Sequence, residues 1–148
     1  MKAISDNKNY KLLLFGENIL YLAYFDDAEI DLEKIQEINQ NGLQLVNYLP
    51  FYSVVNMRNI FGKMDNEAKA FIAENEELNN LKKIEILLIN SLPIRILVNC
   101  YQKINKPKTE TIIVKSIEEL LNTLENIIPK NEGISELEKY LNTISNIT

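Results

Sequence analysis

The stretch FYSVVNMRNIFGKMDNEAKAF, residues 51–71, decides how the rest of the chain is read. Phe51, Val54 and Val55 are aromatic or β-branched and follow Pro50, as suits a central strand. Asn56, Arg58, Asn59 and Gly62 then break the pattern. Asp65 is placed to cap a helix whose inner face begins at Ala68, Phe71 and Ile72. Strand, polar loop and helix start are the parts of an open α/β sheet, where binding sites collect at the carboxyl ends of strands.

Toward the N-terminus, residues 10–15 and 19–25 read as two strands joined by Gly16-Glu17-Asn18, a tight hairpin turn. Asp31 caps a helix carrying Leu32, Ile35 and Ile38 inward, with Asn41-Gly42 read as its stop. Toward the C-terminus, the Asp65 helix is expected to run on to Leu78 and Leu81, loosened at Asn79-Asn80. Residues 84–89 are apolar except for Glu85, the pattern of a strand covered on both faces. Ser91 and Pro93 open a helix with Ile94, Leu97, Val98 and Tyr101 inward, ended at Lys106-Pro107.

Residues 109–114 read as the last strand. Ser116 with Glu119 forms a capping box for a helix striped by Ile117, Leu120, Leu121, Leu124 and Ile128. Pro129 and Gly133 read as a break, and Ser135 with Glu138 as a second capping box. The helix behind it, residues 136–146, carries Leu137, Leu141 and Ile144, a stripe expected to dock on its own sheet or on a second copy as a homodimer. The expected order is ββαβαβαβαα: an α/β fold in one domain, with a core of about residues 10–128 and a helical extension of about 134–146.

Composition narrows the function classes. At 148 residues and 46% hydrophobic content the chain is long enough for one sizeable core. A net charge of −5 with no opposing cluster of Lys and Arg argues against a nucleic-acid face. The absence of histidine removes His triads, His general bases and most zinc sites. No catalytic residue, cofactor or metal is expected. The acidic group Asp26, Asp27, Glu29 and Asp31 lacks the spacing and glycine of a calcium loop and reads as a solvated turn. The single cysteine, Cys100, reads as a packed thiol; it rules out an internal disulfide and fits a reducing compartment. The apolar runs 12–15 and 19–25 are too short for a signal peptide or a membrane span, so a cytoplasmic protein is expected.

The candidate partner-binding residues are Asn56, Arg58, Asn59, Lys63, Asp65, Asn66 and Glu67, with Ser91 and Arg95 from the next helix start. Arg58, Lys63 and Arg95 would concentrate positive charge within an acidic chain, which suits an acidic protein partner. For each there is a plainer reading: Asp65 and Glu67 as cap and first-turn acids, the others as solvated side chains.

The order of elements, M-D-N-E-A-K-A-F at residues 64–71, N-S-L-P-I-R-I-L-V-N at 90–99 and S-I-E-E-L-L at 116–121 resemble the STAS superfamily, specifically its SpoIIAA-like proteins, over about residues 10–128. The resemblance implies a mixed sheet of four to five strands with helices on its faces, and binding near the helix start after the central strand. Anti-sigma-factor antagonists of that superfamily are switched by phosphorylation of a serine there. In this chain Asp65-Asn66-Glu67 offers no hydroxyl, and Asn56 stands where an aspartate is usual. The resemblance therefore points to a non-catalytic interaction module without the phosphoswitch. The alternative is a carrier of a small apolar or lipid-like ligand; an apolar pocket between sheet and helices would mark that alternative, whereas a filled core and an exposed surface patch would mark the module.

Overall fold

The computed structural model describes residues 2–6, 8–57, 63–105 and 108–145, the side chains of Asn105 and Ser145 excepted. The strands are β1 (Lys2–Ser5), β2 (Tyr10–Phe15), β3 (Ile19–Tyr24), β4 (Phe51–Asn56), β5 (Lys82–Leu88) and β6 (Thr111–Val114). The helices are α1 (Leu32–Leu45), α2 (Asn66–Glu74), α3 (Glu76–Leu81), α4 (Leu92–Asn105), α5 (Ile117–Ile127) and α6 (Glu132–Ser145). The six strands form one sheet in chain order, with β1, β2 and β3 antiparallel and β3 to β6 parallel.

That order decides where the helices go. Each crossover from β3 to β6 steps in the same direction, and right-handed crossovers that step one way lay their helices on one face. Ile35 and Ile38 of α1, Ala68 of α2, and Ile94 and Val98 of α4 accordingly pack with Leu12, Leu20, Phe51, Val55 and Leu87. The opposite face is left to the chain beyond β6. There Leu120 and Leu124 of α5 and Ile134, Leu137 and Leu141 of α6 cover Leu13, Phe15, Ile19, Tyr21, Val54 and Ile86.

The α/β class and the two layers of helices agree with the sequence, but several details differ. The sheet has six strands rather than four to five. β1 escapes a reading by pattern because Lys2, Ala3 and Ser5 are exposed; it is an edge strand held by its ladder to β2. α1 runs through Asn41-Gly42 to Leu45 instead of stopping. Gly42 sits close to the sheet: a Cβ there would lie 3.0 Å from Leu20 Cδ2, so a larger residue would require that methyl to shift. The long helix after Asp65 is two helices, because Asn75 leaves helical geometry and its side chain accepts the N–H of Leu78.

At the other end, Gly133 is inside α6 rather than in a break, and Ser135 lies within the helix's first turn rather than at its cap. The first-turn N–H of Gly133 goes instead to Asn131 Oδ1 at 2.8 Å. The apolar stripe of α6 is buried against its own sheet, with Leu137 and Leu141 closed from solvent, so it is not offered to a second copy. Among the described residues no helix is long and apolar enough to cross a membrane.

Candidate functional site

Three adjacent parallel strands bring polar side chains to one row. Ser53 of β4 lies opposite Glu85 of β5, and Glu85 lies opposite Thr111 of β6. Each stands two residues before Val55, Leu87 or Ile113, which face α1 to α4, so the row shares their face and points into that layer. Lys82, at the start of β5, is buried beside it and its Nζ donates to Glu85 Oε2. Thr109 Oγ1 donates to Asn79 Oδ1 at 2.8 Å, closing this end under α3.

Above the row lies a cavity of about 120 Å³. Its walls are largely apolar, among them Ile38, Phe51, Val55, Phe71, Leu87 and Val98. Two tyrosines enter the layer near Glu85. Burial first, and then the charge of Glu85, push the Tyr24 hydroxyl well above the ordinary phenol range. Burial followed by the charges of Glu85 and Glu74 pushes Tyr101 up to about 12, and its hydroxyl donates to the carbonyl of Lys69. Both remain hydrogen-bond donors at neutral pH.

A second feature lies on the outer side of α4. Ile94 and Val98 face the core, while Leu92, Ile96, Cys100 and Ile104, spaced by four, face outward. Leu92 is 59% exposed, Ile96 53% and Ile104 80%. Leu97 and Cys100, expected inside, are exposed as well: α4 leans on the sheet through a narrow strip, so its flanks stay in solvent. The helix holds Arg95 and Lys103 and no acidic residue.

The described ones among the sequence-derived residues are distributed around the C-terminal edge of the parallel strands. Asn56 Nδ2 donates to Tyr21 Oη at 3.0 Å, on the side covered by α5 and α6. Lys63 Nζ donates to the carbonyl of Asp26 at 2.7 Å. Asp65 caps α2, accepting from the Ala68 N–H at 2.9 Å, and Asn66 and Glu67 are exposed in its first turn. The Ser91 carbonyl accepts from the Arg95 N–H at 3.0 Å as α4 begins. Arg95 is half-buried, with Nε enclosed and unpartnered. Arg58 and Asn59 lie outside the described residues. Asn56 and Leu88 are register partners, so the β4 end and the entry to α4 are neighbours at one edge. Asp31 of the acidic turn caps α1 through the Lys34 N–H at 2.8 Å. Among the described residues no group of acidic or cysteine side chains is arranged to hold a metal.

Sequence reasoning passed over Ser53, Lys82, Glu85 and Thr111. Part of their signal was present: Ser53, Glu85 and Thr111 each stand two residues before an apolar residue that packs in this layer, Val55, Leu87 and Ile113. No curated protein and no solved structure matches the chain. A family model described as a domain of unknown function, DUF7793, matches residues 13–128, from β2 to the end of α5. The chain belongs to that family.

Proposed function

We propose that the protein is a non-catalytic interaction module of the STAS kind that takes an acidic, amphipathic helix of another protein onto α4. One observation carries this reading: the outer row Leu92, Ile96, Cys100 and Ile104 is apolar and exposed, on a helix with two cations and no acid, in a chain of net charge −5. An exposed apolar row with matched flanking charge suits helix-on-helix docking, with affinity from the row and orientation from Arg95 and Lys103. The entry to α4 follows β5, whose end pairs with the end of β4, and the resemblance implies partner binding after that central strand. The carboxylate of Asp65 is engaged in capping, which supports a scaffold more than a reaction centre. The module works in the cytoplasm, where an exposed thiol such as Cys100 stays reduced.

The test is a pull-down from the native cell with wild-type protein and with Ile96→Asp/Ile104→Asp. Both positions are solvent-facing, so the double variant should keep its melting temperature within about 2 °C. It should lose a partner that the wild type retains, and that partner should carry an acidic helix whose binding weakens with salt. Retention of the same partner by the variant, or self-association of the purified wild type through α4, would overturn the reading.

A further inference from the structure

We infer that the cavity between the sheet and α1 to α4 binds one small, uncharged amphiphile: an apolar body about the size of a single ring, bearing a hydroxyl or amide group. The inference is independent of docking on α4.

Size comes first. At about 120 Å³ the cavity is close to the apolar cavities of about 150 Å³ that accept benzene. It is well below the roughly 300 Å³ at which pockets for larger ligands begin. The lining sets the rest. Tyr24 and Ser53 are 3% and 7% exposed, and both bring hydroxyl groups to the cavity lining. Asn39, on α1 across the layer, presents a buried Oδ1 that has no hydrogen-bond partner. Buried polar atoms are nearly always paired, so an unpaired Asn39 oxygen facing a cavity that also holds two hydroxyl-bearing residues marks a partner a ligand would supply.

Two hydroxyls give and accept, and the amide oxygen accepts, so the complementary head group both donates and accepts. Charge excludes an anion. Lys82, the one lysine buried in the described residues, is already matched by Glu85. A ligand carboxylate would enter beside the carboxylate of Glu85, whose charge adds to burial in raising Tyr24 and Tyr101.

The test is a titration of methyl-labelled full-length protein with phenol, toluene and benzoate, followed by carbon-13 methyl NMR. Phenol should shift the Ile38, Val55 and Leu87 methyls saturably, and bind more tightly than toluene; benzoate should leave them in place. Tyr24→Phe and Ser53→Ala should each weaken phenol about five-fold and leave toluene unchanged, since each removes one hydrogen bond. Ser53→Ala carries the result alone if Tyr24→Phe does not fold. Absence of saturable shifts with both phenol and toluene would overturn the inference. So would benzoate binding as tightly as phenol, shifts confined to Leu92, Ile96 and Ile104, or ordered waters that stay on Tyr24, Ser53 and Asn39 in a crystal saturated with phenol.

Discussion

At Lys82 the chain buries an ammonium group, and Glu85 three residues along the same strand makes that tolerable. Removing one member of a buried pair strands the other's charge, so Lys82→Met should destabilise by about 3 kcal/mol in urea unfolding. Adding Glu85→Leu should restore most of the loss, because two apolar groups replace the pair without an orphan. A double variant as unstable as the single one would show that the carboxylate matters for another reason. Asp6 is a carboxylate held mainly by backbone N–H groups, with Lys34 Nζ 3.2 Å away as well. Burial alone would raise its pKa, but the N–H groups of Asn9, Lys8 and Tyr10 and the Asn9 amide outweigh that and hold it far below the ordinary 3.8. A folded pKa below the unfolded one gives stability that is present above about pH 4 and lost as pH falls through the folded value. Asp6→Asn should therefore flatten the acid limb of melts recorded from about pH 5 down to pH 2. Caps such as Asp31, Asp65 and Ser116 were legible in the sequence because a cap needs only its own next turn. The row of Ser53, Glu85 and Thr111 was not, since it exists only through the register of three strands.

At the scale of elements, α6 is seated by a glycine that propensity alone would discourage. A Cβ on Gly133 would meet the Phe15 carbonyl oxygen at 2.7 Å and its carbon at 2.9 Å, and both are backbone. Gly133→Ala should therefore cost about 2 kcal/mol, although alanine favours a helix by about 1 kcal/mol, with the loss read from thermal unfolding. Glu136 Oε2 accepts the Gly16 N–H at 2.8 Å, and Asn131 Nδ2 donates to Asn18 Oδ1 at 3.1 Å, so α6 is fastened to the β2–β3 turn. Periodicity showed that α6 and α4 are amphipathic, but not what would cover each apolar face. The inward stripe of α6 found its own sheet, whereas α4 has apolar residues on two sides and a sheet on only one. Gly42 and Gly133 misled the reading for one reason: a glycine at a close approach looks, in sequence, like a glycine that ends a helix.

For the whole molecule, the second layer is as much part of the core as the first. Ile134, Leu137 and Leu141 are each buried, and at about 2 kcal/mol apiece they contribute about 6 kcal/mol. That is comparable to the entire stability of an ordinary domain. Deleting residue 132 onward should consequently abolish cooperative unfolding in calorimetry, and a truncated protein with an unchanged melting temperature would refute this account of the core. The strand order has a temporal consequence too. Because β1 to β6 add side by side in chain order, the sheet and its first helical layer can assemble as the polypeptide emerges from the ribosome. The layer that shields Phe15, Ile19 and Tyr21 cannot: the contact between Gly16 and Glu136 spans 120 positions. At roughly 5–20 residues per second of synthesis, that face waits about ten seconds in the nascent chain for its cover, long enough to need a chaperone's attention before the last helix arrives.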